Sequence, residues 1–192
     1  MTKATDQRSR IMAAARDILR EEGHEALSVR HIAKRAGLST MGVYSYFGGK
    51  DQVCEQLYIE GFRDLAAAVS RSGSGEDPEA AVIKSTTAYL DFYRRNTNRY
   101  ALMFGMGATD YSPGEAAKRS ARESFAVAIS TVQPLISDEN AQEEARRLAF
   151  QTWASTHGFI AIKPHAAGMS EAEWEEMVLG SVRQLVRGRG MD

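Results

Sequence analysis

Apolar residues recur along this chain with the period of a helix. Ile11, Ala14, Ala15, Ile18 and Leu19 stand at i, i+3, i+4, i+7 and i+8, one stripe on a helix predicted from Asp6 to Glu22 and stopped by Gly23. Ser28 is placed to cap a second helix through Ala36, with Val29, Ile32, Ala33 and Ala36 facing inward. Gly37 breaks it, and Ser39 caps a short third helix whose buried side is Val43 and Phe47. After the turn at Gly48-Gly49, Val53, Leu57, Gly61 and Leu65 repeat every fourth position on a long helix beginning near Lys50. The stretch RSGSGEDP, Arg71 to Pro78, reads as a linker, and Pro78 opens a helix reaching about Arg95. A short helix is expected around Arg99 to Met106, then the loop GATDYSPG. Longer helices follow over Pro113–Gln133, Asp138–Lys163 and Ser170–Arg187, the last opened by a capping box of Ser170 and Glu173. No stretch reads convincingly as a strand, so the predicted class is all-α.

Composition narrows this picture. Of 192 residues, 43% are hydrophobic, enough for a substantial core. No run of 18 apolar residues exists to span a membrane, and the polar N-terminus lacks the apolar segment of a signal peptide. Cys54 is the single cysteine, which excludes an intrachain disulfide and a cysteine zinc cluster. These features lead to the expectation of a cytoplasmic protein without a membrane partner. The net charge of −1 conceals an asymmetry: residues 1–50 carry nine Lys/Arg against five Asp/Glu, a net +4, which leaves −5 for the remainder. A basic N-terminal segment on an acidic body suits contact with a polyanion.

The second and third predicted helices, joined by a short turn containing Gly37, have the local signature of a helix-turn-helix. Such a turn needs a residue tolerant of positive φ, and the inward residues fix the crossing angle. The outward N-terminal end of the second helix of the pair then meets base edges in a major groove. Here that end is Ser39, Thr40, Met41 and Gly42, with Tyr44 on the same face as Thr40. Ser28 at a helix N-terminus, the hydroxyls of Tyr44 and Tyr46, and Lys50 are candidate phosphate contacts.

The run AGLSTMGVYSYFGGK, Ala36 to Lys50, together with IAKRAG, Ile32 to Gly37, resembles the tetracycline-repressor (TetR) family of bacterial transcription regulators over residues 8 to about 57. The resemblance implies phosphate contacts from Ser28, Tyr44, Tyr46 and Lys50, and base or groove contacts from Ser39, Thr40, Met41 and Gly42. It implies an N-terminal three-helix DNA-binding domain, residues 1–50, joined by a long helix to a ligand-binding and dimerisation domain, residues 51–192. The implied partners are a palindromic operator, a small-molecule effector and a second copy of the chain. Two positions depart from the family pattern: many members carry Lys or Arg where Thr40 stands and His where Tyr46 stands. Without that cation, a bidentate guanine contact from this helix is disfavoured. Thymine methyls or DNA shape then become the alternatives for specificity.

The C-terminal stretch TWASTHGFIAI, Thr152 to Ile162, resembles a Trp-His-Gly type of C-terminal domain in the same family. Its two last helices suit a four-helix interface between copies, with Gly158 and Gly180 allowing close crossing. Aromatic and methionine residues of the middle helices are the effector-site candidates: Tyr89, Phe92, Tyr93, Met103, Phe104, Phe125, Phe150, Trp153 and His157. The same residues at helical spacing also suit a plain core.

No catalytic constellation, metal-ligand spacing or cofactor loop is read in the sequence. The leading expectation is a transcriptional regulator, released from DNA by an apolar effector. A helical small-molecule enzyme with a structural N-terminal pair, and a DNA-binding protein without an effector, are the alternatives.

Overall fold

A computed structural model of the chain describes residues 3–72, 77–106, 111–137, 140–165 and 168–188. Among the described residues there are nine α-helices and no strand: α1 Lys3–Glu22, α2 Val29–Ala36, α3 Thr40–Phe47, α4 Lys50–Ser72, α5 Pro78–Arg95, α6 Thr97–Phe104, α7 Glu115–Val132, α8 Ala141–Ile162 and α9 Glu171–Arg187. Parts of the expected linker (73–76) and loop (107–110), and the expected start of α8 at Asp138, lie outside the described residues.

The chain forms two compact units. The first comprises residues 1–64 and 93–122, the second residues 65–92 and 123–192. Helices α4, α5 and α7 each begin in one unit and end in the other.

In the first unit the predicted stripe of α1 is the core: Ile11, Ala15 and Ile18 are completely buried, against Ile32, Val43, Val53, Leu57 and Leu102. Each buried Ile or Leu contributes about 1.5–3 kcal/mol relative to an exposed one. Gly37 adopts the left-handed conformation at φ 64° and closes α2 as a Schellman motif. Its N–H donates to the Lys34 carbonyl at 3.2 Å, and the Leu38 N–H to the Ala33 carbonyl at 2.9 Å. Gly48, at φ 81°, closes α3 by donating to the Tyr44 carbonyl at 2.7 Å. Gly61 is the point where α6 comes close to α4: a Cβ there would meet Met103 Sδ at 2.5 Å. The Glu55 carboxylate, from α4, accepts from Tyr111 Oη at 2.8 Å and from the N–H groups of Gly114 and Ala117 at 3.1 and 3.3 Å, capping α7. Burial pushes the Glu55 pKa upward, but these donors and nearby Lys118 outweigh it and hold it below the ordinary carboxylate value.

In the second unit, Val82, Val132, Ala145, Leu148, Ala149, Val182 and Val186 form the core. Ser155 and Ser181 share a hydroxyl bond of 2.9 Å that ties α8 to α9. The predicted capping box opens α9, with both reciprocal Ser170–Glu173 bonds in place. The Lys163 ammonium stacks 4.5 Å from the Trp174 ring centroid, covering that buried indole.

Candidate nucleic-acid interface

The two short helices start at capped serines. Ser28 Oγ accepts the His31 N–H and Ser39 Oγ accepts the Gly42 N–H, each at 3.1 Å. Both serines are extended at φ −142° and −80°, the backbone geometry an N-cap requires. Val43 and Phe47 turn inward and are buried, which leaves Thr40, Met41, Tyr44 and Ser45 exposed on the other side of α3. Met41 is 70% exposed and Tyr44 53%, high values for such side chains on a protein with a well-filled core.

Three residues of α1 hold this pair in place, and no local pattern announces them. Arg10 Nη2 donates to the carbonyls of Ala36 at 2.7 Å and Gly37 at 3.3 Å, the C-terminal end of α2 where a cation is favoured. Arg8 donates to the Tyr46 carbonyl at 2.9 Å, and its guanidinium lies 4.3 Å from the Phe47 ring centroid. Tyr46 Oη donates to Gln7 Oε1 at 2.6 Å. The Tyr46 hydroxyl proton is thus committed to Gln7. These partners are separated by 26 to 39 positions, beyond the reach of any helical periodicity.

Six further basic residues of the N-terminal segment divide into two groups. Arg35 binds Glu21 at 2.8 Å and Glu22 at 2.9 Å, Arg16 makes a bidentate pair with Glu60 at 2.8 Å, and Arg20 pairs with Asp17 and Glu21. Hydrogen bonding to Glu60, opposed by partial burial and helped by nearby carboxylates, raises the Arg16 pKa further. Arg30, Lys34 and Lys50 have no ion pair among the described residues. Lys50 opens α4 immediately after the glycine turn that ends α3, and Ser28 caps the start of α2.

The aromatic candidates further along fall into two groups. In the second unit Trp153 is a hub. Its Nε1–H donates to Tyr89 Oη at 3.1 Å, and its ring stands 6.0, 5.6 and 5.8 Å from Phe125, Phe150 and His157. Phe150 is 55% exposed and Phe92 is buried in the same unit. Burial lowers the His157 pKa below the ordinary imidazole value. Tyr93, Met103 and Phe104 belong to the first unit. There Tyr93 and Phe104 pack on Tyr100 at 5.1 and 4.4 Å, Phe104 also meets Phe62 at 5.3 Å, and Met103 lies on Gly61.

Among the described residues no group of His, Cys, Asp or Glu is arranged to hold a metal ion, and no helix is long and apolar enough to cross a membrane.

Comparison with known proteins gives the same outline. Residues 11–57 match the family described as bacterial regulatory proteins, tetR family, and residues 82–179 match the tetracyclin repressor-like C-terminal domain. HTH-type transcriptional regulators of Mycobacterium bovis and Mycobacterium tuberculosis are 27% identical over 106 residues, 54% of this chain. The chain spans less than half, 45%, of the length of these curated relatives. A protein of unknown function from Rhodococcus sp. RHA1 superposes with a TM-score of 0.77 at 22% identity, covering 95% of this chain and 94% of that one. A TetR-family transcriptional regulator from Streptomyces coelicolor gives 0.66 at 21% identity, with 96% and 99% covered. At such identities the structural likeness speaks for the fold alone.

Proposed function

Because the chain belongs to the TetR family of bacterial DNA-binding transcriptional regulators, we propose that it is a repressor: a homodimer that grips a palindromic operator and leaves it when an apolar small molecule binds. In this reading residues 1–50 read DNA, residues 51–192 receive the effector and pair the protomers, and the protein works in the bacterial cytoplasm. The observation that carries it is α3, whose inward residues are buried while Thr40, Met41 and Tyr44 stand exposed on a frame fixed by two capped helices. Ser39, Thr40, Met41 and Gly42 face the bases. Ser28, Tyr44 and Lys50 take phosphates, and Tyr46 joins them on release from Gln7.

The effector contacts we favour are Tyr89, Phe92, Phe125, Phe150, Trp153 and His157, an apolar set with two hydroxyl or imidazole groups to orient a ligand. An effector releases DNA only if it binds the DNA-incompetent state more tightly than the competent one. Pairing of protomers through α8 and α9 is supported by exposed Ile162, Met169 and Met177, and by open space at Gly158 and Gly180.

The test is selection of genomic DNA fragments on the purified protein, after unfolding, stripping and refolding to remove bound effector. An enriched palindrome is expected, with an affinity that falls steeply with salt. Lys50→Ala should weaken binding on all sequences alike and reduce the salt slope by about one per protomer. No enrichment, or salt-independent affinity, would overturn the reading.

A further inference from the structure

Resting on the DNA-reading role of α3 proposed above, we infer that its base recognition is of the thymine C5-methyl group, with Met41 as the specificity-determining side chain. The helix TMGVYSYF and its cap Ser39 contain no Arg, Lys, Asn, Gln, Asp, Glu or His. Those are the side chains that make the discriminating hydrogen bonds: Arg and Lys to guanine, Asn and Gln to adenine, Asp and Glu to cytosine. What α3 does present is the short side chains of Thr40 and Ser45, the phenol of Tyr44 and the long apolar chain of Met41. Hydroxyls discriminate poorly because they donate and accept with equal ease.

Geometry singles out Met41 among the rest. Ser39 Oγ already accepts the Gly42 N–H at 3.1 Å, so its lone pair is partly committed to capping. Gly42 has no side chain to read with, and Val43 and Phe47 are buried. Tyr44, one turn further along, sits beside the glycine turn: a Cβ on Gly49 would be 3.6 Å from its Cε1. Its hydroxyl suits a phosphate better than a base edge. Met41 stands in the first turn of α3 with 70% of its surface exposed, the most exposed large hydrophobic side chain among the described residues. An unbranched thioether adapts its shape to an apolar partner. In a major groove the one apolar feature on a base edge is the thymine methyl.

The experiment uses the duplex recovered by selection, with each thymine replaced in turn by uracil, which removes only the C5-methyl. Loss of one methyl contact should raise Kd about fourfold, and symmetric replacement in both half-sites about fifteenfold. The loss should be confined to the same one or two thymines of each half-site. Replacing the critical thymine·adenine pair by 5-methylcytosine·guanine keeps the methyl group and should restore part of the affinity relative to unmethylated cytosine. Met41→Ala should bind thymine and uracil duplexes equally, collapsing the ratio to one. Lys50→Ala should weaken both duplexes alike and leave the ratio in place. Helical content by circular dichroism checks that each variant is folded, as expected for so exposed a position. Equal binding of every uracil duplex would overturn the inference while leaving the operator reading intact, and so would a ratio unchanged by Met41→Ala. Failure to select any duplex would overturn the operator reading itself, and this inference with it.

Discussion

Cys54 sits in the first turns of α4 with 3% of its surface exposed, inside the core of the first unit. Burial pushes its thiol up from 9.0 to about 11, with Lys50 opposing weakly. A raised pKa in the folded state contributes stability that is full below the unfolded value near 9.0 and is lost as pH climbs through about 11. Two outcomes follow at this one residue. At pH 8 the native thiol should not react with Ellman's reagent over minutes, and should react at once in denaturant. Urea midpoints should hold steady to about pH 9 and fall above it, with Cys54→Ala showing a shallower decline. A rapid native reaction would mean that the core around Ile11 and Leu57 opens far more readily than its packing implies. Buried in the core, the thiol behaves as a small apolar side chain.

Single elements show how much of the molecule was legible in its sequence. Caps and stops are local events, and they read correctly: Ser28 and Ser39 start helices, Gly37 and Gly48 end them in the left-handed region, and Ser170 with Glu173 closes its reciprocal box. The stripe on α1 is equally local. Boundaries differ elsewhere: α1 begins at Lys3 rather than Asp6, and α6 covers Thr97–Phe104 rather than Arg99–Met106, its start without a side-chain cap and its end closed by Gly105 in the left-handed region. What the sequence did not disclose is long-range. Nothing near Gln7, Arg8 or Arg10 tells that they grip Tyr46, Phe47 and the end of α2. Nothing around Glu55 tells that it caps a helix some sixty residues away. Likewise, periodicity marks Tyr93, Met103 and Phe104 as apolar but does not say which neighbours they pack on.

The α2–α3 turn supports a direct test at this scale. Gly37→Ala places a side chain at φ 64°, which costs about 1–2 kcal/mol for an L-residue. The new Cβ also falls 3.0 Å from Arg10 Nη2 and presses on the guanidinium that caps α2. A lower urea midpoint at unchanged m-value is expected. Gly37→Asn should lose less, since Asn tolerates the left-handed region. Equal stability of Gly37→Ala and the parent would show that this turn is not held as described.

For the whole molecule the informative position is Gly158. It is an exposed position of α8, and a Cβ there would meet nothing within 4 Å inside the chain. Gly158→Glu should raise the stability of the single protomer, because a helix-interior glycine is worse than a good helix former by about 0.5–1 kcal/mol. If α8 lies at the interface between two protomers, the same substitution should break the dimer by burying an unpaired carboxylate. Sedimentation equilibrium should then move from dimer to monomer while helicity is kept or increased. A dimer that survives Gly158→Glu would move the interface to another face.

The first compact unit is not one continuous piece of chain: residues 1–64 and 93–122 build it together. Leu102 of α6 is part of its core, and Asn98 donates to the Arg20 carbonyl at 3.1 Å. A chimera that transplants only the first fifty or sixty residues onto another sensor would take Leu102 out of the core that Leu19 and Leu57 share with it. A DNA reader excised from this protein should carry α6 with it, as a second strand of sequence stitched to the first. Exchange of sensors among such regulators would then be constrained less by α3 than by the short helix α6, which begins about fifty residues downstream of it.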